Sequence, residues 1–597
     1  VHDDQPTDLE RRALDAWTPA EPPHGFADRV VAAAAAHDHA DKVRDVTPSP
    51  LLVARWPRFV AAAIAAAAIA GTAATAFNYL TTPRDRTGDT SRTPAVYDGT
   101  QFEAATPIEP RTPDGGTTTE LEIPADLKAR LDAHLGSYGA KYGTAFKYQG
   151  SLVVARKGEI LYNGNFGFTD VDGGRPITEH TRFKIGSLTQ QFTAVAILQL
   201  RDEGKLSLDD AVQKHLPDFP HKRVSIRQLL THTSGVPSYT DGALLADLKP
   251  GTVYPAPKIR ALFERSALEF PPGTDFDLSN SGYFLLGQIV EAASKQPLAD
   301  YLRARIFNTV GMPHTTLGGE RKTLLGAPMA SGHEFSEEEL LVPLEGLDLA
   351  SVYGGAAGIV STPADLVRWD LALHTPGALL GADSIDEMFT AVRDDYGLGW
   401  IVTRNRSQTF VGHPGGVEGF NAAISRWLGD GVTVIALANT EAIDCRDIVE
   451  DTSEIVYGGN PPAHVEHDET PVSPAMMARY LGDFTLTEDS QKKLGRLFDK
   501  SAIGLMNEVK VYDDDSRLFL LIPMHGAKWL HRTGEDRFFF KDPAGTTAEF
   551  GPPGALVETL TLHQRGLEFV LKKSTGKSTS GIRVTPGEFR PAAPDEG

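Results

Sequence analysis

Residues 184–200, KIGSLTQQFTAVAILQL, decide how this chain is read. The stretch reads as a helix with Ser187 at its mouth. Position 190 lies three residues on, so the two side chains share one face about a turn apart. A base at 190 could take the proton of the Ser187 hydroxyl. Gln190 stands there instead, and its carboxamide is neutral across the working pH range and has no basic lone pair. A serine at a helix start is an ordinary N-cap in most proteins, so the meaning of Ser187 depends on the rest of the chain.

Six further segments supply that context. They are EGKLSLDD (203–210), IRQLLTHTSG (226–235), PGTDFDLSNSGY (272–283), AGIVST (357–362), YGLGW (396–400) and HPGG (413–416). In this order they resemble the serine β-lactamase and penicillin-binding-protein superfamily, in its class C β-lactamase, D-alanyl-D-alanine carboxypeptidase and esterase branch. The likeness spans roughly residues 125–455. It implies an α+β fold, with an antiparallel sheet flanked by helices plus a helical subdomain, and a serine acyl-transfer site.

The family's Ser-x-x-Lys motif corresponds to Ser187 and Gln190, so the resemblance implies a nucleophile without its lysine. Its Tyr-x-Asn motif corresponds to Leu278 and Asn280. Leu278 replaces the phenol that helps activate the serine and protonates the leaving group, whereas Asn280 is retained to hydrogen-bond a substrate amide. The third motif, His-x-Gly in this branch, is intact at His413 and Gly415. By the same analogy it lies on a strand edging the cleft, where the Gly416 N–H pairs with that of Ser187 as an oxyanion hole. Pro414 has no N–H, which fits a strand edge. The expected catalytic and substrate-binding set is therefore Ser187, Asn280, His413, Gly415 and Gly416, with Gln190 and Leu278 degenerate. Other titratable neighbours have plainer readings: Asp277 as a loop carboxylate, Tyr283 as core, Lys184 as a surface lysine and His232 as a residue bonded within a tight turn.

Three functions fit this pattern. The first is a weakly active or inactive family member that binds a peptidoglycan-like peptide, an ester, a β-lactam-type ligand or a protein partner. The second is an active hydrolase in which His413 serves Ser187 as base. The third is a transmembrane signalling protein with an outside sensor domain.

The remainder of the chain suggests how the hydrolase-like part is presented. FVAAAIAAAAIAGTAATAFNY (59–79) is uncharged and about the ~20 residues long that a membrane-crossing helix needs. Arg55, Trp56 and Arg58 precede it and Tyr79 and Arg84 follow. We therefore expect a cytosolic helical tail (1–55), a transmembrane helix (56–80), a disordered linker rich in Pro, Thr and Gly (81–122) and a β-lactamase-like domain (123–460) outside the membrane, periplasmic or extracellular. The tail resembles the cytosolic part of bacterial anti-sigma factors. Its plainer reading is a solvated segment with two marginal helices.

From about residue 470 the pattern changes to short alternating strands, at 482–486, 509–512, 518–522, 537–540, 548–550, 560–563 and 567–572. This argues for a small antiparallel barrel over 470–585, and the run from Ala478 through Gln564 resembles a lipocalin-like domain. A disordered tail, 586–597, closes the chain. With 597 residues and 41% hydrophobic content there is ample material for two cores. The formal charge of −21 argues against nucleic acid as a partner. The single cysteine, Cys445, excludes an intrachain disulfide. No phosphate loop, dinucleotide fingerprint or metal-ligand spacing is evident, so neither cofactor nor metal is expected.

Overall fold

The apolar strand β1 (Gly150–Arg156) sends alternate side chains into two different cores. Val153 and Ala155 join one cluster, and Leu152 and Val154 join the other. The computed structural model in which this is seen describes residues 121–574, apart from 139–141, 143–145, 172–173, 241–243, 246, 319–326, 337–338, 406–407, 442, 462–466, 495–506, 515–516, 523–525, 542–544, 553–555 and 565–566. The expected tail 1–55, span 56–80, linker up to residue 120 and final tail 586–597 lie outside the described residues. Among the described residues no helix is long and apolar enough to cross a membrane.

Strand β1 pairs with β2 (Glu159–Phe166) on one side. The other four strands of its sheet come from much later in the chain: β3 (Ile401–Asn405), β4 (Gln408–Val417), β5 (Phe420–Trp427) and β6 (Val432–Ala438). Their order is β2-β1-β6-β5-β4-β3, and every pairing is antiparallel. Strand β6 is buried along its whole length because it too faces both cores. On one face pack α1 (Leu127–Ser137), through Leu127, Leu131 and Leu135, and the C-terminal helix of this domain, Cys445–Val456. On the other face lies a larger helical layer.

The centre of that layer is α2 (Thr189–Asp202), the helix expected from the opening stretch. Every residue from Thr189 to Leu200 is buried, so the helix is a core element rather than an amphipathic surface one. Its polar side chains survive burial by reaching acceptors or donors on neighbouring elements. Thr193 Oγ1 donates to Gly355 O at 2.7 Å, Gln199 Nε2 to Leu379 O at 3.2 Å, and Gln191 Oε1 accepts from Trp369 Nε1 at 3.0 Å. Against α2 packs α3 (Asn280–Ser294), and α4 (Pro363–Leu373) lies between this layer and the sheet. Helix α4 starts with Thr362 as N-cap and Pro363 in its first turn, both favoured there.

The C-terminal region forms a second sheet of nine strands: β7 (Gly482–Leu486), β8 (Glu508–Asp514), β9 (Arg517–Ile522), β10 (Gly526–Trp529), β11 (His531–Gly534), β12 (Arg537–Phe539), β13 (Thr547–Gly551), β14 (Thr559–Gln564) and β15 (Leu567–Lys573). Their order is β10-β9-β8-β7-β15-β14-β13-β12-β11. The two edge strands, β10 and β11, are consecutive in sequence and separated only by buried Leu530. The sheet is thus nearly a closed barrel, and closure disposes of exposed strand edges. Alternate residues, among them Val509, Val511, Leu518, Leu520, Ala548 and Phe550, fill its interior. All seven expected strands are present. The two that sequence patterning missed run through GAKWLHRTG, where Lys528, His531 and Arg532 break the apolar alternation.

This sheet meets the first domain through the hairpin formed by His333–Phe335 and Leu341–Pro343. Glu339 at its tip accepts from His531 Nε2 at 2.6 Å and from Lys541 Nζ at 3.1 Å. Glu469 meets the other ring nitrogen of His531 at 3.0 Å.

One buried ion pair ties α4 to the sheet: Asp370 Oδ2 accepts from Arg426 of β5 and, at 2.7 Å, from Thr433 Oγ1 of β6. Both charged side chains are more than nine-tenths buried. Arg426→Ala is expected to cost about 3–5 kcal/mol, because it strands a buried carboxylate. Arg426→Met combined with Asp370→Leu should recover most of that loss. Guanidinium denaturation midpoints of the two variants check both statements.

Candidate active site

Ser187 sits in a single 3₁₀ turn, Gly186–Leu188, immediately ahead of α2. It caps nothing: neither the turn nor α2 has a side-chain cap hydrogen bond. The turn is pressed against β4. Gly186 has φ +53°, and a Cβ added there would lie 2.4 Å from Gly416 N; one added to Gly415 would lie 2.2 Å from Ile185 O and 3.1 Å from Ser187 N. Only glycine tolerates both that backbone angle and that approach. The backbone of Ser187 and that of Gly416 are thereby neighbours, the placement that an oxyanion hole between their N–H groups requires. The Ser187 side chain is half-buried, and its hydroxyl has no hydrogen-bond partner among the described residues.

One turn into α2, Gln190 is the hub of a buried network. Its Nε2 donates to Asn280 Oδ1 at 3.2 Å, and Asn280 Nδ2 donates to Thr240 Oγ1 at 2.8 Å. Its Oε1 lies 3.2 Å from both His232 Nε2 and Tyr396 Oη. Tyr396 Oη is also 2.9 Å from His413 Nε2 and 3.2 Å from His232 Nε2. Gln190, His232, Asn280, Tyr396 and His413 are all more than nine-tenths buried.

The partners assign the protons. His232 Nδ1 accepts from Ser279 N–H at 3.0 Å, so its hydrogen is on Nε2 and points to Gln190 and Tyr396. His413 Nδ1 is 2.6 Å from Pro414 O, which can only accept, so Nδ1 carries the hydrogen and Nε2 receives the Tyr396 hydroxyl. Every member of the set is neutral and satisfied. Burial drives His413 down to about 4; burial, together with the neighbouring His413, drives His232 down to about 3. Burial also raises the Tyr396 phenol well above its ordinary range. A phenol shifted upward and two imidazoles shifted downward are poor bases at neutral pH.

The structure therefore brings Gln190, Asn280 and His413 into one neighbourhood, Gln190 and His413 through Tyr396. It leaves His413 bonded to Tyr396 and Pro414, not to Ser187. Leu278 is half-exposed and belongs to none of the three hydrophobic clusters. Tyr283 is core, as expected, and donates to Leu230 O at 2.7 Å. His232 does bond within a turn, yet it also reaches across to position 190. Sequence reasoning missed that reach, and it missed Tyr396 as a contact. The available signal was positional: both occur inside family-like segments, IRQLLTHTSG and YGLGW. Lys184 is not a surface lysine. Its ammonium is held over the Phe420 ring at 5.4 Å, beside Gly346 and turned toward Glu418.

Among the described residues no cluster of His, Cys, Asp and Glu is arranged to hold a metal ion.

The model of the Beta-lactamase family matches residues 131–451, a span that contains every residue of this site. The chain is similar to Penicillin-binding protein 4* of Bacillus subtilis (strain 168), at 27% identity over 447 residues, covering 70% of this chain and 93% of that protein. It is also similar to Putative penicillin-binding protein PbpX of the same organism, at 31% identity over 293 residues, covering 49% and 70% respectively. The octameric penicillin-binding protein homologue from Pyrococcus abyssi superposes with a TM-score of 0.51 at 23% identity, over 74% of this chain and 99% of that one. At that identity the likeness is one of fold.

The depressed imidazoles have a measurable consequence. In the unfolded chain a histidine takes up a proton below about pH 6.5, whereas folded His413 does so only near 4. Between these values the unfolded state binds more protons. Its contribution to stability is therefore complete above pH ~6.5 and lost as pH falls toward 4. Urea unfolding of His413→Gln beside the unmodified protein should show a pH slope shallower by up to one proton over that window, about 1.4 kcal/mol per pH unit. Parallel curves would mean that His413 is charged in the folded protein.

Proposed function

This chain belongs to the beta-lactamase family, and from that premise we propose that its cleft binds penicillin-like or peptide ligands while acylation and turnover are crippled by the lack of a base. One observation carries this reading: Gln190, at the lysine position, is a neutral amide locked to Asn280, His232 and Tyr396, while Ser187 Oγ has no partner among the described residues. The names of the relatives, both penicillin-binding proteins, support the ligand class. The paired backbones of Ser187 and Gly416 support slow acylation, since an oxyanion hole and binding alone leave a residual acceleration of ~10³–10⁴ over water. The competing dyad of Ser187 with His413 has less support, because both imidazole nitrogens are engaged elsewhere.

The finer parts of the proposal rest on sequence. They are membership of the class C and carboxypeptidase branch, a lipocalin-like identity for the C-terminal barrel, and tethering by residues 56–80 with the folded part outside the membrane.

The missing groups can be put back. Lysine has donors only, so a lysine introduced at position 190 would donate to Asn280 Oδ1; Tyr396 would keep His413 as acceptor, and His232 would keep the Tyr396 oxygen. The network thus tolerates the change. Gln190→Lys with Leu278→Tyr is expected to raise p-nitrophenyl ester turnover by ~10²–10⁴ over the unmodified chain, the usual contribution of positioned acid–base groups. The unmodified chain should match Ser187→Ala in turnover, and its benzylpenicillin adduct at Ser187, followed by intact mass, should form slowly and persist. Rapid hydrolysis that disappears in Ser187→Ala would defeat the proposal.

A further inference from the structure

A second polar group adjoins Ser187 along both chain segments that hold it. Lys184 is three residues ahead of Ser187, and Glu418 is two residues beyond Gly416. Glu418 is only 6% exposed. Its Oε1 accepts the Tyr353 hydroxyl, but its Oε2 has no hydrogen-bond partner. The Lys184 ammonium has no acceptor within ion-pair reach among the described residues; it lies over the Phe420 ring at 5.4 Å. Both unpartnered atoms face one point. A methyl group added to Gly346 would stand 2.6 Å from Lys184 Nζ and 3.3 Å from Glu418 Oε2.

A buried carboxylate oxygen without a donor is costly and calls for a partner. Nearby groups do not provide one. Glu441 is committed to Gly419 N–H at 2.7 Å, and burial, with Glu334 and Glu418 nearby, pushes it up to about 8, so it is largely uncharged at neutral pH. Lys528 acts on Glu441 rather than on Glu418. Tyr239 spends its hydroxyl on Val352 O at 2.6 Å.

The pair also defines what would satisfy it. Lysine offers only donors and an ionised glutamate only acceptors. A ligand ammonium would be repelled by Lys184, and a ligand carboxylate by Glu418. An amide accepts at its oxygen and donates at its nitrogen, on opposite sides of one planar unit. Lys184, which is half-exposed, is the wall of the recess that can swing to admit it. We propose that Lys184, Gly346 and Glu418 form a subsite for one neutral amide unit of the cleft ligand, with the amide oxygen on Lys184 Nζ and the amide N–H on Glu418 Oε2. This rests on the reading of the cleft as a peptide-binding site, and it makes the ligand a peptide rather than a simple ester.

The test is calorimetric titration of the full chain with an N-acetylated tripeptide ending in D-alanyl-D-alanine, and with analogues in which each peptide N–H in turn becomes an ester oxygen. One analogue is expected to bind roughly tenfold or more weakly than the parent, the scale of one hydrogen bond to a charged acceptor. Gly346→Ala, which keeps both charges and needs no unusual backbone angle, should weaken the parent and abolish its advantage over that analogue. If the parent binds but no ester weakens it beyond twofold, the recess holds only a bridging water and the subsite is refuted. If the preference survives Gly346→Ala, the sensitive N–H docks elsewhere and the subsite is likewise refuted. Failure of the parent to bind at all would remove the peptide reading itself, and the subsite with it.

Discussion

The backbone of Gly415 and Gly416 lies against the turn Ile185–Ser187 at distances that leave no room for a Cβ on either side. This approach joins the edge region of the main sheet to the start of its most buried helix. Because α2 is enclosed along nearly all its length, fixing its first turn fixes the direction in which Gln190 points. Everything around position 190 is then a question of what a side chain arriving at that spot can be bonded to.

What it meets is a set of neutral groups whose hydrogens run in one consistent order. Ser279 N–H feeds His232, His232 feeds Gln190 and Tyr396, Tyr396 feeds His413, and His413 ends on Pro414 O. In a low-dielectric interior such a chain is favourable only if complete, since one unpaired member costs more than one bond contributes. A glutamine, acceptor and donor at once, suits this arrangement. The arrangement also occupies His413, the one imidazole that might otherwise serve Ser187. The charged groups of the neighbourhood, Lys184 and Glu418, are kept apart from this network and from each other.

Much of the fold was legible because its signals are local. The motif order from Ser187 to Gly416, the enclosed helix and seven of the nine C-terminal strands all follow from neighbouring residues in the chain. The two missed strands carry Lys528, His531 and Arg532 in the sheet. His531, fully buried, takes part through its contacts with Glu339 and Glu469 from outside the barrel. No alternation pattern contains that information. Lys184 illustrates the same limit, since a lysine beside a helix start looks solvated until Phe420, Gly346 and Glu418 are brought around it.

The sequence by itself determined the family-like α+β scaffold and the two departures at Gln190 and Leu278, because residue type and spacing within short motifs carry that information. Tertiary structure alone decided which side chains answer those departures. Tyr396 and Gln190 are 206 residues apart, and His232 and Gln190 are 42 apart. Whether such pairs touch, and which atom holds the proton between them, is settled by how strands and helices pack.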